Sequence, residues 1–322
     1  MNTPTKVVGF AVVLAVVFGL ALGAGTLFGP QVAEQEPVAH DTTHDGGDDT
    51  HDTGGSASPA ADIPGGLMVS QDGYTLELAD PVPGAGEDVP VRFTITGPDG
   101  RPVSSYEVEH EKRLHLIAVR RDASGFQHVH PELADDGSWS TTLDLTAGQW
   151  RLFADFKPAG HDGLTLGADL AVAGNYRLTS PAVETRTAVV DGYTVRLDGD
   201  LASGEDAKLT LSVERNGRPV TDLQPYLGSY GHLVALRDGD LAYLHVHPDG
   251  EPGDGTTKPG PDVVFYAAVP SVGRYHVYLD FKHRGVVRTA AFTVSTAGHG
   301  DAEAAKPSEK AEDHGHSDTD DH

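Results

Sequence analysis

The chain of 322 residues contains no cysteine. Disulfides, thiolate zinc sites, iron–sulfur clusters and blue-copper centres are thereby excluded, since each needs cysteine sulfur. Methionine is nearly absent as well, with only Met1 and Met68, which removes a thioether-lined Cu(I) site. Positive charge is scarce: 23 Lys and Arg stand against 48 Asp and Glu, a formal net charge of −25. Nucleic acid needs a positive face against its phosphates and is excluded as a partner. Docking on anionic headgroups is disfavoured, whereas cations are attracted.

Long apolar runs are missing except at the N-terminus. Val7 to Phe28 carries no charge and has Thr26 as its one polar residue. It is long enough to cross a hydrocarbon layer of ~30 Å as a helix. Lys6 precedes it and an acidic stretch follows, so the positive-inside rule leaves the rest of the chain outside the cytoplasm. Residues 1–29 are therefore expected to form a transmembrane signal anchor of a single-pass cell-membrane protein with an extracytoplasmic bulk. Cleavage near Ala21, Gly23 and Ala24 is the alternative, and would make the protein secreted.

Residues 30–63 and 297–322 are polar, acidic and histidine-bearing. The first carries His40, His44 and His51, the second His299, His314, His316 and His322. Such stretches cannot bury enough apolar surface to fold, and are expected to be disordered spacers. Their His and Asp content also suits weak, multivalent capture of divalent ions.

Between them the sequence repeats. Asp72-Gly73-Tyr74-Thr75-Leu76 returns as Asp191-Gly192-Tyr193-Thr194-Val195, and Phe153-Ala154-Asp155-Phe156-Lys157 as Tyr278-Leu279-Asp280-Phe281-Lys282. Added length in the second copy falls in the Gly/Pro loop near Glu251 to Pro261. Alternating and β-branched runs such as Tyr74 to Leu78, separated by Asp/Gly/Pro turns, read as strands. Asp99-Gly100 and Asn216-Gly217 are type I′ hairpin signals. The expected fold is all-β: two tandem immunoglobulin-like or cupredoxin-like β-sandwiches, residues 64–185 and 186–296, after the transmembrane helix. Leu152, Ala154 and Phe156, and in the second copy Val277, Leu279 and Phe281, would face the cores.

The repeat also duplicates histidines. Phe126-Gln127-His128-Val129-His130-Pro131 returns as Tyr243-Leu244-His245-Val246-His247-Pro248, and His115 returns as His232, each 117 residues later. In a strand, His-x-His sets both rings on one face. A two-residue Asp238-Gly239 loop would place His232 opposite His245, with His247 diagonal to it, and domain one would do likewise with His115, His128 and His130. Two three-imidazole metal sites are expected, one at the rim of each sandwich. Asp155 and Asp280 are expected either as fourth ligands or as acceptors that orient an imidazole. His110 is an extra ligand candidate, while His161 and His283 read as incidental loop residues. The spacing from His110-Glu111 to His115 is one residue too long for a zinc-protease helix. Neutral imidazoles with a carboxylate suit Cu(II) or Zn(II), with Cu(II) the tighter.

The run His110-Glu111-Lys112 to Val119, followed by Gly125 to Pro131, resembles a group of bacterial exported HxHP β-sandwich proteins, some similar to YtkA-like proteins. That resemblance implies an accessory role in heavy-metal or copper handling. The reading it joins is a membrane-anchored metal-binding protein for sequestration, buffering or delivery, with metal ions and a metal transporter as partners. Two alternatives stand beside it. One is an extracellular interaction or scaffold sandwich whose histidines only pack. The other is a zinc-dependent hydrolase with an open coordination position, for which no nucleophile constellation is seen.

Overall fold

The computed structural model describes residues 63–179, 183–204, 206–244 and 246–296. The expected anchor helix, the spacer, the tail and His245 lie outside the described residues. The described residues fall within one compact unit.

The described residues contain strands and no helix, and none of them forms a helix long and apolar enough to cross a membrane. The first copy supplies β1 (Ser70–Gln71), β2 (Tyr74–Leu78), β3 (Gly86–Thr96), β4 (Leu114–Arg120), β5 (Gln127–Val129), β6 (Glu132–Leu133), β7 (Ser138–Leu145), β8 (Gly148–Phe156) and β9 (Leu164–Val172). The second supplies β10 (Thr187–Val190), β11 (Tyr193–Asp198), β12 (Asp206–Arg215), β13 (Arg218–Pro219), β14 (His232–Arg237), β15 (Tyr243–Leu244), β16 (Val246–Pro248), β17 (Asp262–Ala268), β18 (Arg274–His283) and β19 (Val286–Ser295).

Each copy stacks two antiparallel sheets. In the first they run β1-β2-β3-β7-β6 and β5-β4-β8-β9; in the second, β10-β11-β12-β17-β16, with β13 on β12, and β15-β14-β18-β19. Period-two alternation fills each interior. Phe93, Ile95, Trp139, Leu152, Ala154 and Phe156 share one core, and Tyr193, Phe265, Val277, Leu279, Phe281 and Phe292 share the other. The extra Gly/Pro loop of the second copy joins β16 to β17. Asn216 and Gly217 both take positive φ in a two-residue loop, as a type I′ turn requires. At Asp99-Gly100 only Gly100 does, because Pro98 shifts that turn to another form.

The sandwiches meet through their four-stranded sheets. Ile117, Val119 and Phe153 of the first pack with Val234, Leu236, Leu241 and Tyr278 of the second. The Phe126 and Tyr278 rings stack with centroids 3.9 Å apart, and Tyr278 Oη donates to the Ala123 carbonyl at 2.8 Å. All seven residues of β4 are buried, one face by its own core and the other by the neighbouring sandwich. The histidine strands are thus not at an open rim, which corrects the expectation from sequence.

A strap at Ile63–Leu67 crosses this seam. Tyr243 N donates to Gly65 O at 2.9 Å, and Gly66 N donates to Thr165 O at 2.7 Å. Arg151 then clamps Gly66 O through Nε at 3.0 Å and Nη2 at 2.6 Å.

Candidate metal centre

His115 lies on β4 opposite Asp155 of β8. β5 pairs with β4 so that Val129 faces Leu116, and continuing that register one step sets His130 opposite His115. His128, two residues before His130 along the same segment, is diagonal to His115 on the same face. One nitrogen from each of His115, His128 and His130 lies within 4.8 Å of the others. The first trio therefore converges.

In the second copy the hairpin register differs, and His245 lies outside the described residues. The β14–β15 turn takes four residues, Asp238 to Leu241, with Arg237 N donating to Ala242 O and Leu241 at positive φ. Ala235 then pairs with Leu244, a register two residues away from the tight Asp-Gly hairpin. β15 ends at Leu244, and Val246–Pro248 crosses to the other sheet, where His247 pairs with Tyr266 and is exposed. His232 instead faces domain one. Its ring centroid is 5.4 Å from that of His115 and 4.7 Å from that of His128. His110 joins from a turn, 6.2 Å from His115 and 5.8 Å from His232. Histidines of both copies thus meet in one cluster between the sandwiches.

Hydrogen bonds around the cluster fix where its protons sit. His115 Nε2 is 3.2 Å from the Glu109 carbonyl oxygen, which only accepts, so His115 carries its proton on Nε2. His128 Nδ1 donates at 2.8 Å to Asp280 Oδ2, across the seam, with these side chains 2% and 4% exposed. The remaining nitrogens, His115 Nδ1 and His128 Nε2, stand 3.1 Å apart. With both rings neutral, the two nitrogens offer lone pairs to the same point, an arrangement that suits a cation. His130 Nε2 and His232 Nε2 are buried without a hydrogen-bond partner, a costly state for a polar atom.

Burial, reinforced by the neighbouring His128, lowers the pKa of His115 to about 3 and of His130 to about 4, and holds that of His232 well below the usual imidazole value. These rings are kept in the neutral form that binds metals.

Neither aspartate is an exposed residue on a solvent face. Asp280 is buried and also accepts from Thr289 Oγ1. Asp155, which accepts from Thr165 Oγ1 at 2.9 Å, is raised to about 6 by burial. The sequence reading missed the Glu109 carbonyl and these two threonines. The threonines sit on the strands beside each aspartate, a signal visible only once β9 and β19 are paired. His283 is likewise no loop residue: it ends β18, buried, with Tyr193 Oη 2.7 Å from its Nδ1. A cleft of about 320 Å³ leads to the cluster, lined among others by Glu109, His110, His115, Asp155, His232 and His247.

A family model described as "Domain of unknown function (DUF8832)" matches the chain twice, over residues 69–176 and 188–298. No curated protein matches it. Among solved structures it is similar to the Escherichia coli adhesin FdeC, at 17% identity over 71% of this chain and 65% of that one, with a TM-score of 0.23. It is similar to the Yersinia pseudotuberculosis adhesin InvE at 11% identity, over 70% and 60%, with a TM-score of 0.21. A two-domain fibronectin type III segment of chicken tenascin matches at 13%, over 69% and 97%, again at 0.21. The chain spans 65% and 60% of the two adhesin structures. With TM-scores this low, the architecture rests on the chain's own strand pairings.

Proposed function

For a chain that belongs, in both its halves, to the family described as "Domain of unknown function (DUF8832)", we propose a function drawn from the site itself: it binds one Cu(II) or Zn(II) ion between its two sandwiches. The ligands are His115 Nδ1, His128 Nε2, His130 and His232. One observation carries this reading: His115 Nδ1 and His128 Nε2 face each other 3.1 Å apart, while the other nitrogen of each ring is held from outside by a carbonyl and a carboxylate. Outer hydrogen bonds of this kind accompany metal-bound histidines generally. Metal–nitrogen bonds of about 2.0–2.1 Å put neighbouring nitrogens about 3.3 Å apart in a tetrahedron and about 2.9 Å apart in a square plane. The 3.1 Å separation lies between, and suits either ion.

The ion is held for sequestration, buffering or delivery. An extracytoplasmic, membrane-anchored location and a transporter partner belong to the same proposal, on the sequence of residues 1–29 and the HxHP resemblance. Catalysis is not part of it, because the described residues place no nucleophile beside the cluster.

The competing reading is an extracellular interaction module whose histidines only fasten two sandwiches together. Its support is the His128–Asp280 bond, which joins the copies without any ion. Equilibrium dialysis of the protein against Cu(II) and Zn(II), beside His128→Ala/His232→Ala, separates the two. The tails add weak sites, so the comparison uses chains in which His40, His44, His51, His299, His314, His316 and His322 are replaced by Asn. One tight ion in the parent and none in the double variant is expected. No tight ion in the parent leaves the interaction module.

A further inference from the structure

The four proposed ligands lie at the seam, His115 buried and the other three half-buried, and an ion reaches them through the cleft. The turn that carries His110 is built unusually. Glu109 N donates to Lys112 O at 2.9 Å and Lys112 N to Glu109 O at 3.0 Å, closing a two-residue loop of His110 and Glu111. Both residues sit at positive φ, 48° and 66°, where asparagine and glycine are the usual occupants and another side chain costs about 1–2 kcal/mol. The second copy makes the same loop with Leu227 and Gly228, at 55° and 76°, with Leu227 buried. Only the first copy spends an imidazole on this position.

Strained residues of this kind persist where the surroundings over-determine them. Here the surroundings are the centre itself. Glu109, the first residue of the turn, supplies the carbonyl that sets the His115 tautomer. The turn is also tied to β8 through Lys157, which pairs with Glu107 at 2.9 Å and reaches Glu109 at 3.7 Å. The His110 ring is held over His115 and His232, yet the residue is exposed and lines the cleft. It touches solvent on one side and the cluster on the other.

We propose that His110 is the exchange ligand of this centre: it takes the ion from an incoming soluble chelate at the cleft mouth and hands it to the buried imidazoles, and reverses this on release. A bond from the ion to His110 forms as one to the carrier breaks, then yields to a bond with His232 or His115. The carrier is a small complex able to enter about 320 Å³. This inference rests on the metal-binding reading above.

The test uses His110→Asn, because asparagine tolerates the left-handed backbone and so preserves the turn while removing the imidazole. Parent and variant are full chains carrying the tail substitutions described above, and Cu(II) is supplied as its glycine chelate. Uptake is followed by stopped-flow quenching of tryptophan fluorescence, release by transfer to EDTA, and affinity by competition at equilibrium. Uptake and release both slowing by about tenfold or more, with affinity within about threefold, is the expected result. Unchanged rates in a variant that binds copper overturn the exchange role alone. Faster release with a matching loss of affinity overturns it too, by making His110 a resident ligand. A parent that binds no copper overturns the centre itself.

Discussion

Asp280→Asn is the most informative single change at the seam. Asp280 belongs to the second sandwich, but its Oδ2 holds His128 of the first at 2.8 Å, and its Oδ1 accepts from Thr289. Asparagine keeps the shape and loses the charge. Its Oδ1 accepts from His128 while its Nδ2 donates to the Thr289 hydroxyl, so both bonds persist but neither is charge-assisted. Charge-assisted bonds are roughly twice as strong as neutral ones, at about 1.5–3 against about 0.5–1.5 kcal/mol. A fall in stability of about 1–2 kcal/mol is expected for the metal-free protein. In a unit of this size each kcal/mol lowers Tm by about 2–4 °C. The effect on the centre is separate. Loss of an outer partner to a metal-bound histidine weakens binding about 10–100-fold, or about 1.4–2.8 kcal/mol. Competition with a chelator of known affinity reads this directly, and calorimetry reads the stability. If Asp280→Asn lowers Tm yet leaves affinity unchanged, His128 is not a ligand, and the bond is a fastening between domains only.

Other consequences are open to measurement. Ion at about 100 times its Kd should stabilise the protein by about 2.7 kcal/mol, with EDTA reversing the gain and His232→Ala abolishing it, as thermal melts would record. The burial-lowered pKa values of His115 and His130, about 3 and about 4, lie below the roughly 6.5 of an unfolded imidazole. The unfolded chain therefore protonates first. Metal-free stability is fully present above about pH 6.5 and is lost as pH falls toward about 4, so urea midpoints should drop between those values and drop less in His115→Gln. Ile117→Ala, at the seam and fully buried, should cost about 2–4 kcal/mol, and the melt should stay a single transition if the sandwiches unfold together. Gly167→Ala would drive a Cβ into the Gly66 carbonyl oxygen and the Arg151 guanidinium, and should raise hydrogen exchange at Gly65 and Gly66 before it changes the rest of β9.

Much of this could be read from residues alone. Alternation at Leu152, Ala154 and Phe156 marks a core face because a strand turns every second side chain inward. The repeat and the first histidine trio follow from the same periodicity. The merging of the sites was harder to see, yet a trace of it is present. Leu114 to Val119 and Leu233 to Leu236 do not alternate: they are apolar on both faces, as a strand covered on both sides must be. His115 interrupts the first run and His232 opens the second, which places them in a contact rather than at a rim. Nothing in Asp238-Gly239-Asp240-Leu241 announces that Leu241 adopts positive φ and lengthens the turn, because the conformation is imposed by Arg237 and Asp240 pairing around it. That lengthening shifts the β14–β15 register by two residues, and the chain then crosses to the other sheet at Val246, which no pattern of residue types encodes.

The strap at Ile63–Leu67 bears on how the molecule carries mechanical load. Because Gly65 bonds to Tyr243 in one sandwich while Gly66 bonds to Thr165 and Arg151 in the other, a pull on the chain upstream of Ile63 loads both bodies together. Tension arriving there would act in shear on the joint that encloses the imidazoles, so the bonds that bear load would be the same few that keep the histidines together.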